Sequence, residues 1–585
     1  MHQLSNSVTI MFIACAIPVI RKWRKKEKNM NKLYCADNLE ILRQYVSNES
    51  VDLIYIDPPF NSKRNYNIFF DDKEIRAQRM AFEDTWTLKN VQNSMSDLDR
   101  PQTENIYTLL KAYQKVASSA FPYLVMMALR IIELHRVLKS TGSFYLHCDP
   151  TMSHYLKTVC DAVFGCQNYY NEISWKRTSS HNRAKRWGPV HDVIFYYSKS
   201  DKVTWNRVLQ GLDEGYLKSF YKYTDEKGTY RIDNLTGPGT RTGDSGKPWR
   251  SIDPSLKARH WEPPPDRALP EWFVFPENYS QMSVQERLDV LDAQGLISFP
   301  KKDNGIPSFK RYLSENSGAA IQDMILDIQP ISAQASERLG YPTQKPLALL
   351  ERIIKASSNE GDLVLDAFCG CGTTVDAAEK LKRRWIGIDI SPFAVKLIEN
   401  RLTKEYNSVL SKYEVLGLPV DTKTAIELWE KNPFAFQDWW ITKFEAFSAT
   451  FGTKGADKGI DGIAQYLVDH DGNTIKAAFQ VKGGKVQSRD IDALLGAMVK
   501  HKCVLGVFLS IRPLTAPMLE TIADSGHVTA FNKNYPKLQS LTLDEFFSGK
   551  ALQLPPMNIT FRKPATVNLK PQIALTSDWI GEKHE

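Results

Sequence analysis

Residues 363–389 constrain this chain most. LVLD reads as a buried strand ending in Asp366, and the FCGCG that follows fits only a tight turn. A helix opens near Thr373, and WIGIDI makes the next strand and brings Asp389 to its tip, 23 residues beyond Asp366. Gly370 and Gly372 let the backbone turn sharply and let a ligand approach a helix N-terminus. An acid at the tip of the second strand is where doubly wound folds hold a ribose diol. The spacing therefore predicts a nucleoside-bearing cofactor. NAD would favour a fuller GxGxxG than GCGTTV, whereas S-adenosylmethionine fits and needs no third glycine. Cys369 and Cys371 are read as small residues filling the turn.

A second strand of the same buried kind, VDLIYI (51–56), runs into Asp57-Pro58-Pro59-Phe60. A buried strand ends at the carboxyl edge of the sheet, where such folds bind ligands. The prolines have fixed φ and no N–H, so they leave rigid outward carbonyls. A carboxylate, a proline carbonyl and an aromatic face suit a planar ring with an exocyclic amine. Asp57 and the Pro58 carbonyl would hold the two amine hydrogens, aiming the lone pair at an electrophile, while Phe60 stacks on the ring.

Strands at 33–35, 51–56, 142–147 and 363–366 alternate with helices at 39–45, 107–139, 153–164 and 346–354. This pattern predicts an α/β doubly wound mixed sheet. From about 178 to 335 glycine, proline, tryptophan and arginine rise and periodicity becomes irregular, as in GPGTRTGDSGKPWR, which predicts an inserted domain or long ordered loops. The expected boundaries are 1–30 an extension, 31–177 and 336–405 the two parts of the α/β core, 178–335 the insertion, 406–435 a linker, 436–545 a further compact domain and 546–585 a tail.

The stretch 455–482 ends a glycine-flanked turn at Asp461, reverses at a DHDGN hairpin and returns as AAFQVK. Alternation puts Gln480 and Lys482 on one face of that strand. With Asp461 they form an acid–polar–lysine cluster, in which Asp461 and Gln480 could hold Mg²⁺ and Lys482 could orient a water for phosphodiester attack.

Eight scattered cysteines with no CxxC pair argue against a disulfide scaffold and for a reducing cytoplasm. The formal charge of +8 permits a polyanionic partner. The apolar run 8–20 is shorter than the ~20 residues needed to span a bilayer, and its basic residues follow it where a signal peptide would have them first. The folded protein is expected to begin near Met30, with residues 1–29 an upstream extension in preference to the alternative, a membrane-surface anchor, and no membrane partner is expected. GDSGKP (243–248) lacks the first glycine and the Ser/Thr of a phosphate-binding loop, so any ATPase would come from a separate subunit.

These motifs, in the order DPPF, TQKP (343–346), DAFCGCGTT and Asp389, resemble those of the amino-group DNA methyltransferases that modify adenine N6 or cytosine N4. The order resembles the permuted, beta arrangement over about residues 31–405. The resemblance implies a Rossmann-like methyltransferase fold, double-stranded DNA as substrate and S-adenosylmethionine as cofactor, with room for a homodimer. It implies catalytic Asp57, Pro58, Pro59 and Phe60, with Asp37 on the cofactor's adenine and Asp389 on its ribose. Asp366, Phe368, Gly370, Gly372, Thr373 and Thr374 would wrap the methionine portion, with Thr343, Lys345 and Pro346 beside it. The irregular region would recognise the target, with Arg177, Arg183, Lys185, Arg186, Arg241, Lys247 and Arg250 as candidate phosphate contacts. Asp before the prolines favours adenine. Residues 436–530 resemble the Mrr-like restriction endonucleases, whose motif has a QxK variant; catalytic Asp461, Gln480 and Lys482 follow from that likeness, with Glu445 a further acid.

Overall fold

The structure is a computed structural model that describes residues 30–59, 88–178, 185, 187–212, 214–300, 305–313, 318–332, 334–339, 341, 343–448 and 460–556. Residues 1–29 and Phe60, Arg183 and Arg186 lie outside them. Contact patterns divide the chain into two units, one of them Asn206–Asp327.

In the larger unit the chain opens with β1 (Asn31–Cys35), α1 (Asn38–Tyr45) and β2 (Val51–Ile56). It continues through α2 (Glu104–Val116), α3 (Phe121–Val137), β3 (Leu138–Cys148) and α4 (Ser153–Phe164), then β4 (Tyr169–Lys176) and β5 (His191–Ser198). After the second unit come α5 (Leu347–Ser357), β6 (Leu363–Asp366), α6 (Thr373–Lys380), β7 (Arg384–Asp389), α7 (Pro392–Tyr406) and β8 (Tyr413–Leu416). The strands run in the order β4-β5-β3-β2-β6-β7-β1-β8. Neighbours from β3 to β8 are parallel, while β5 is antiparallel to both β3 and β4. The expected doubly wound mixed sheet is present.

The strands form because their apolar runs are buried on both sides: Leu53, Ile54, Tyr55 and Ile56 of β2 are at most 2% exposed. α3 (FPYLVMMALRIIELHRV) is buried along most of its length and packs into the same core. The order places β2, β6, β7 and β1 side by side, with Asp57, Asp366, Asp389 and Asp37 at or just past their carboxyl ends.

Two stretches differ from the boundaries expected above. His191–Ser198 is a strand of the central sheet, because DVIFYYS is apolar enough to be buried throughout. Residues 413–416 add β8 beside β1, so the segment 406–435 is not merely a linker. The unit Asn206–Asp327 is correspondingly narrower than 178–335. It has its own core around Trp249, Trp261, Phe273, Leu288 and Leu291, and its helix Val284–Ala293 starts with a Ser283–Glu286 capping box.

The C-terminal part begins with α8 (Pro433–Thr442). It builds a sheet in the order Phe447–Ser448, β9 (Gly462–Leu467), β10 (Thr474–Lys482), β11 (Leu505–Ser510) and β12 (Leu538–Thr542). β9 and β10 form the expected hairpin, and α9 (Ser488–His501) carries the chain from β10 to its parallel neighbour β11. Among the described residues no helix is long and apolar enough to cross a membrane.

Candidate functional site

The glycine turn is built as its sequence demands. Gly370 (φ +49) and Gly372 (φ +75) both lie in the left-handed region. Asp366 closes the turn from below: its Oδ1 accepts from Phe368 N (2.9 Å) and its Oδ2 from the Thr374 hydroxyl. Asp389 closes it from the side, its Oδ2 accepting from Gly370 N (2.8 Å) and its Oδ1 from Ser391 N (2.9 Å). Thr373 and Thr374 are buried at the head of α6, and Phe368 packs half-buried against the core. Cys369 and Cys371 are buried within the turn.

The acids are electrostatically poised. Burial pushes the Asp366 carboxyl up to about 7, with Asp57 and Asp389 adding to the rise and its bonds from Thr374 and Phe368 opposing it. Burial also raises Asp389 to about 6 against its backbone N–H bonds.

Asp37 caps α1 through Leu39 N (2.8 Å), and its carboxylate pairs with the buried Arg130 (2.9 Å). Arg130 also bonds Asn38, whose amide donates to Ala367 O (2.6 Å), so α1, α3 and the glycine turn are tied together. Motif reading singled out Asp37 but not Arg130 or Asn38.

At the end of β2 the Asp57 carboxylate pairs with Lys345, whose side chain is 8% exposed. The two lie 288 residues apart in sequence. Beneath them Tyr55 Oη shares a hydrogen bond with His147 Nδ1 (2.7 Å), and His147 Nε2 with Asp192 Oδ2 (3.2 Å). Asp192 forms a charge pair with Arg177 (3.2 Å). Burial works to raise the Asp192 carboxyl, but His147, Lys345 and Arg177 outweigh it and hold the group below its usual range. Arg177, expected on phosphate, is thus engaged inside the protein.

Of the other expected phosphate contacts, Arg250 pairs with Asp292 (2.7 Å) and lies over the Trp249 ring (4.5 Å), and Lys247 pairs with Asp244 (2.7 Å). Lys185 and Arg241 are exposed.

In the C-terminal domain Asp461 is 7% exposed, and its Oδ2 accepts from Val481 N (2.6 Å), which fixes it beside β10. Gln480 Oε1 is buried without a hydrogen-bond partner among the described residues. Lys482 pairs with Asp490 of α9 (3.0 Å), whose other oxygen accepts from Gln487 N (2.8 Å). Asp490 was missed in the sequence because it lies on the helix after the motif. Glu445 makes its described contacts with α7, at Lys396 (3.2 Å) and Asn400 (3.4 Å), and not with this cluster. Among the described residues no group of three or more His, Cys, Asp and Glu forms a ready metal centre.

Doubly wound sheet, glycine turn and the acids on neighbouring strand ends define an α/β protein that binds a nucleoside-bearing cofactor. Comparison with known proteins carries this to the family. A family profile described as DNA methylase, of the N6/N4 kind, matches residues 51–400, and one described as restriction endonuclease, of the Mrr kind, matches 432–536. The type II methyltransferase M.EcaI of Enterobacter cloacae is 31% identical over 63% of this chain and 69% of its own length. The type III StyLTI Mod subunit of Salmonella typhimurium is 27% identical over 61% of this chain, which spans only 51% of that protein. The solved M1.HpyAVI–SAM complex is 15% identical, covering 63% of this chain and 99% of that one with a TM-score of 0.28. The chain belongs to the N6/N4 DNA methylase family, an S-adenosylmethionine-dependent family acting on DNA, and carries a restriction-endonuclease domain at its C-terminal side.

Proposed function

We propose that this protein methylates adenine N6 in double-stranded DNA at a specific site and, through its C-terminal domain, cuts DNA lacking that mark. The supporting observation is the placement of Asp57 beside Asp366 and Asp389 on the carboxyl ends of neighbouring strands. On this reading the acceptor and cofactor subsites share one sheet edge.

The target amine lies inside a duplex, so the base must leave the stack, at about a few kcal/mol. S-adenosylmethionine, when bound, supplies an electrophilic methyl group. The Gly370–Gly372 turn would admit its methionine portion, and Asp389 its ribose. Asp57 and the Pro58 carbonyl accept the two amine hydrogens and direct the nitrogen lone pair out of ring conjugation. The amine nitrogen would thereby be turned toward the cofactor's methyl group, and Asp57 would be the carboxylate at hand for the proton the amine gives up. Phe60 would stack on the base. The Asp of the motif favours adenine over cytosine.

In the C-terminal domain Asp461 and Gln480 Oε1, which has no hydrogen-bond partner among the described residues, would hold Mg²⁺, which would supply a Lewis acid for phosphodiester hydrolysis. Lys482, held by Asp490, would orient the attacking water. One feature favours a second reading, a domain that binds DNA without cutting: glutamine stands where most nucleases of this type place an acid.

The test is methyl transfer from labelled cofactor to plasmid DNA, followed by digestion to nucleosides. N6-methyladenine supports the reading, and it should vanish in Asp57→Ala while cofactor binding persists. N4-methylcytosine would overturn the choice of base, and activity retained in Asp57→Ala would overturn the site.

A further inference from the structure

The TQKP segment was expected to pack beside the cofactor, yet Lys345 reaches the end of β2 instead. Three observations show that the fold is built to put it there. Lys345 is 7% exposed, an uncommon degree of burial for a lysine without a partner charge. Its ammonium bonds Asp57 Oδ2 and lies 3.5 Å from the Thr343 carbonyl. Thr343 itself sits at φ +62, a conformation that a β-branched residue adopts only when its surroundings impose it.

The segment is also braced from outside. Gln344 accepts from Leu339 N (2.8 Å) and donates to Glu337 O (2.7 Å), while Glu337 Oε2 accepts from Leu347 N (3.1 Å) at the start of α5. The lysine is therefore delivered by a strained, cross-linked loop, and it is not a surface side chain that happens to fall near an acid.

The electrostatic setting explains what such a cation does. Asp366 feels the charges of Asp57 and Asp389, and Asp192 feels Lys345. Lys345 is thus a positive charge set among these acids, paired with Asp57 and felt by Asp192. Among the described residues it is the hydrogen-bond partner of the Asp57 carboxylate, through Oδ2, which leaves Oδ1 open to an incoming donor.

We propose that Lys345 is a positioning residue for methyl transfer: it anchors one oxygen of Asp57 so that the other is held ready for the exocyclic amine of the target base. This inference rests on Asp57 being the amine acceptor. It gives Lys345 a role on the base side of the site, acting through Asp57, and not one in binding the cofactor. A carboxylate held by one oxygen on a rigid partner cannot rotate away from the amine. Geometry lost here is lost in the chemical step, where a misplacement of about 1 Å costs on the order of 10²-fold.

The test uses the full chain with plasmid DNA and labelled S-adenosylmethionine, in Lys345→Met, Asp57→Asn and the double variant. Calorimetry gives the cofactor Kd, and initial rates give kcat and KM. Lys345→Met should lower kcat by about 10²-fold with cofactor Kd and DNA KM little changed, and should cost nothing further in the Asp57→Asn background. An unchanged kcat with weakened cofactor binding would make Lys345 a cofactor contact and overturn the proposal, as would losses that simply add in the double variant. Full activity in Asp57→Asn alone would refute Asp57 as acceptor, a separate failure. Should Lys345→Met not fold, Lys345→Arg keeps the charge and decides: kcat near wild type supports the proposal, and a loss equal to that of Asp57→Asn overturns it.

Discussion

Replacing Gly372 by alanine perturbs the cofactor turn at its tightest point, and the structure supplies the size of the effect. Gly372 has φ +75, where an L-residue with a Cβ loses about 1–2 kcal/mol. The added Cβ would also lie 2.6 Å from Cγ1 of Ile398, which is fully buried in α7 and has nowhere to go. Forcing a methyl into such packing costs a further ~1–3 kcal/mol. Gly361, at the opposite, amino end of β6, has φ +81 and open space around its Cβ position, so Gly361→Ala carries the backbone cost alone. At roughly 2–4 °C per kcal/mol for a domain of this size, Gly372→Ala should lower Tm by about 4–20 °C and Gly361→Ala by about 2–8 °C. Thermal scans of the full chain read the difference, and calorimetry should show weaker S-adenosylmethionine binding for Gly372→Ala only. Equal Tm losses, or a Gly372→Ala protein with normal cofactor affinity, would refute the tight turn against α7.

Three further outcomes are expected. Asp366 is raised to about 7 from an unfolded value near 4, so its contribution to stability is full below about pH 4 and is lost as pH rises through 7. That is worth about 4 kcal/mol, and Asp366→Asn should flatten the fall in urea stability between about pH 4 and 7; identical pH slopes would contradict it. Arg177→Ala strips a cation from the buried Asp192 and should cost about 3 kcal/mol in urea unfolding, with little change in the salt dependence of DNA binding; the reverse pattern would restore Arg177 to the DNA surface. Asp490→Asn frees Lys482 and should reduce plasmid cleavage while leaving methylation intact; unaltered cleavage would remove Asp490 from the nuclease site.

How far these features were legible depended on how local they are. The turn at Gly370–Gly372, the strand ending in Asp57 and the hairpin at 469–473 are written within a few residues each, by glycine, proline and Asx chemistry. Asp469 accepts from Asp471 N and Asn473 N at that hairpin (3.0 Å each), as the DHDGN stretch suggests. Partnerships made by topology were not readable. Lys345 meets Asp57 only because β2 and β6 are neighbours, Lys482 meets Asp490 only because α9 folds back on β10, and Arg177 meets Asp192 across the β4–β5 pair. β5 itself was hidden inside an irregular stretch, since one buried strand among loops leaves no periodic signature.

The most direct measurement takes an unmodified plasmid and a copy treated beforehand with this protein and S-adenosylmethionine, and incubates each with protein and Mg²⁺. The account predicts cutting of the untreated plasmid and protection of the treated one, with methylation and cleavage aimed at a single target. Both plasmids left intact, or both cut alike, would contradict it.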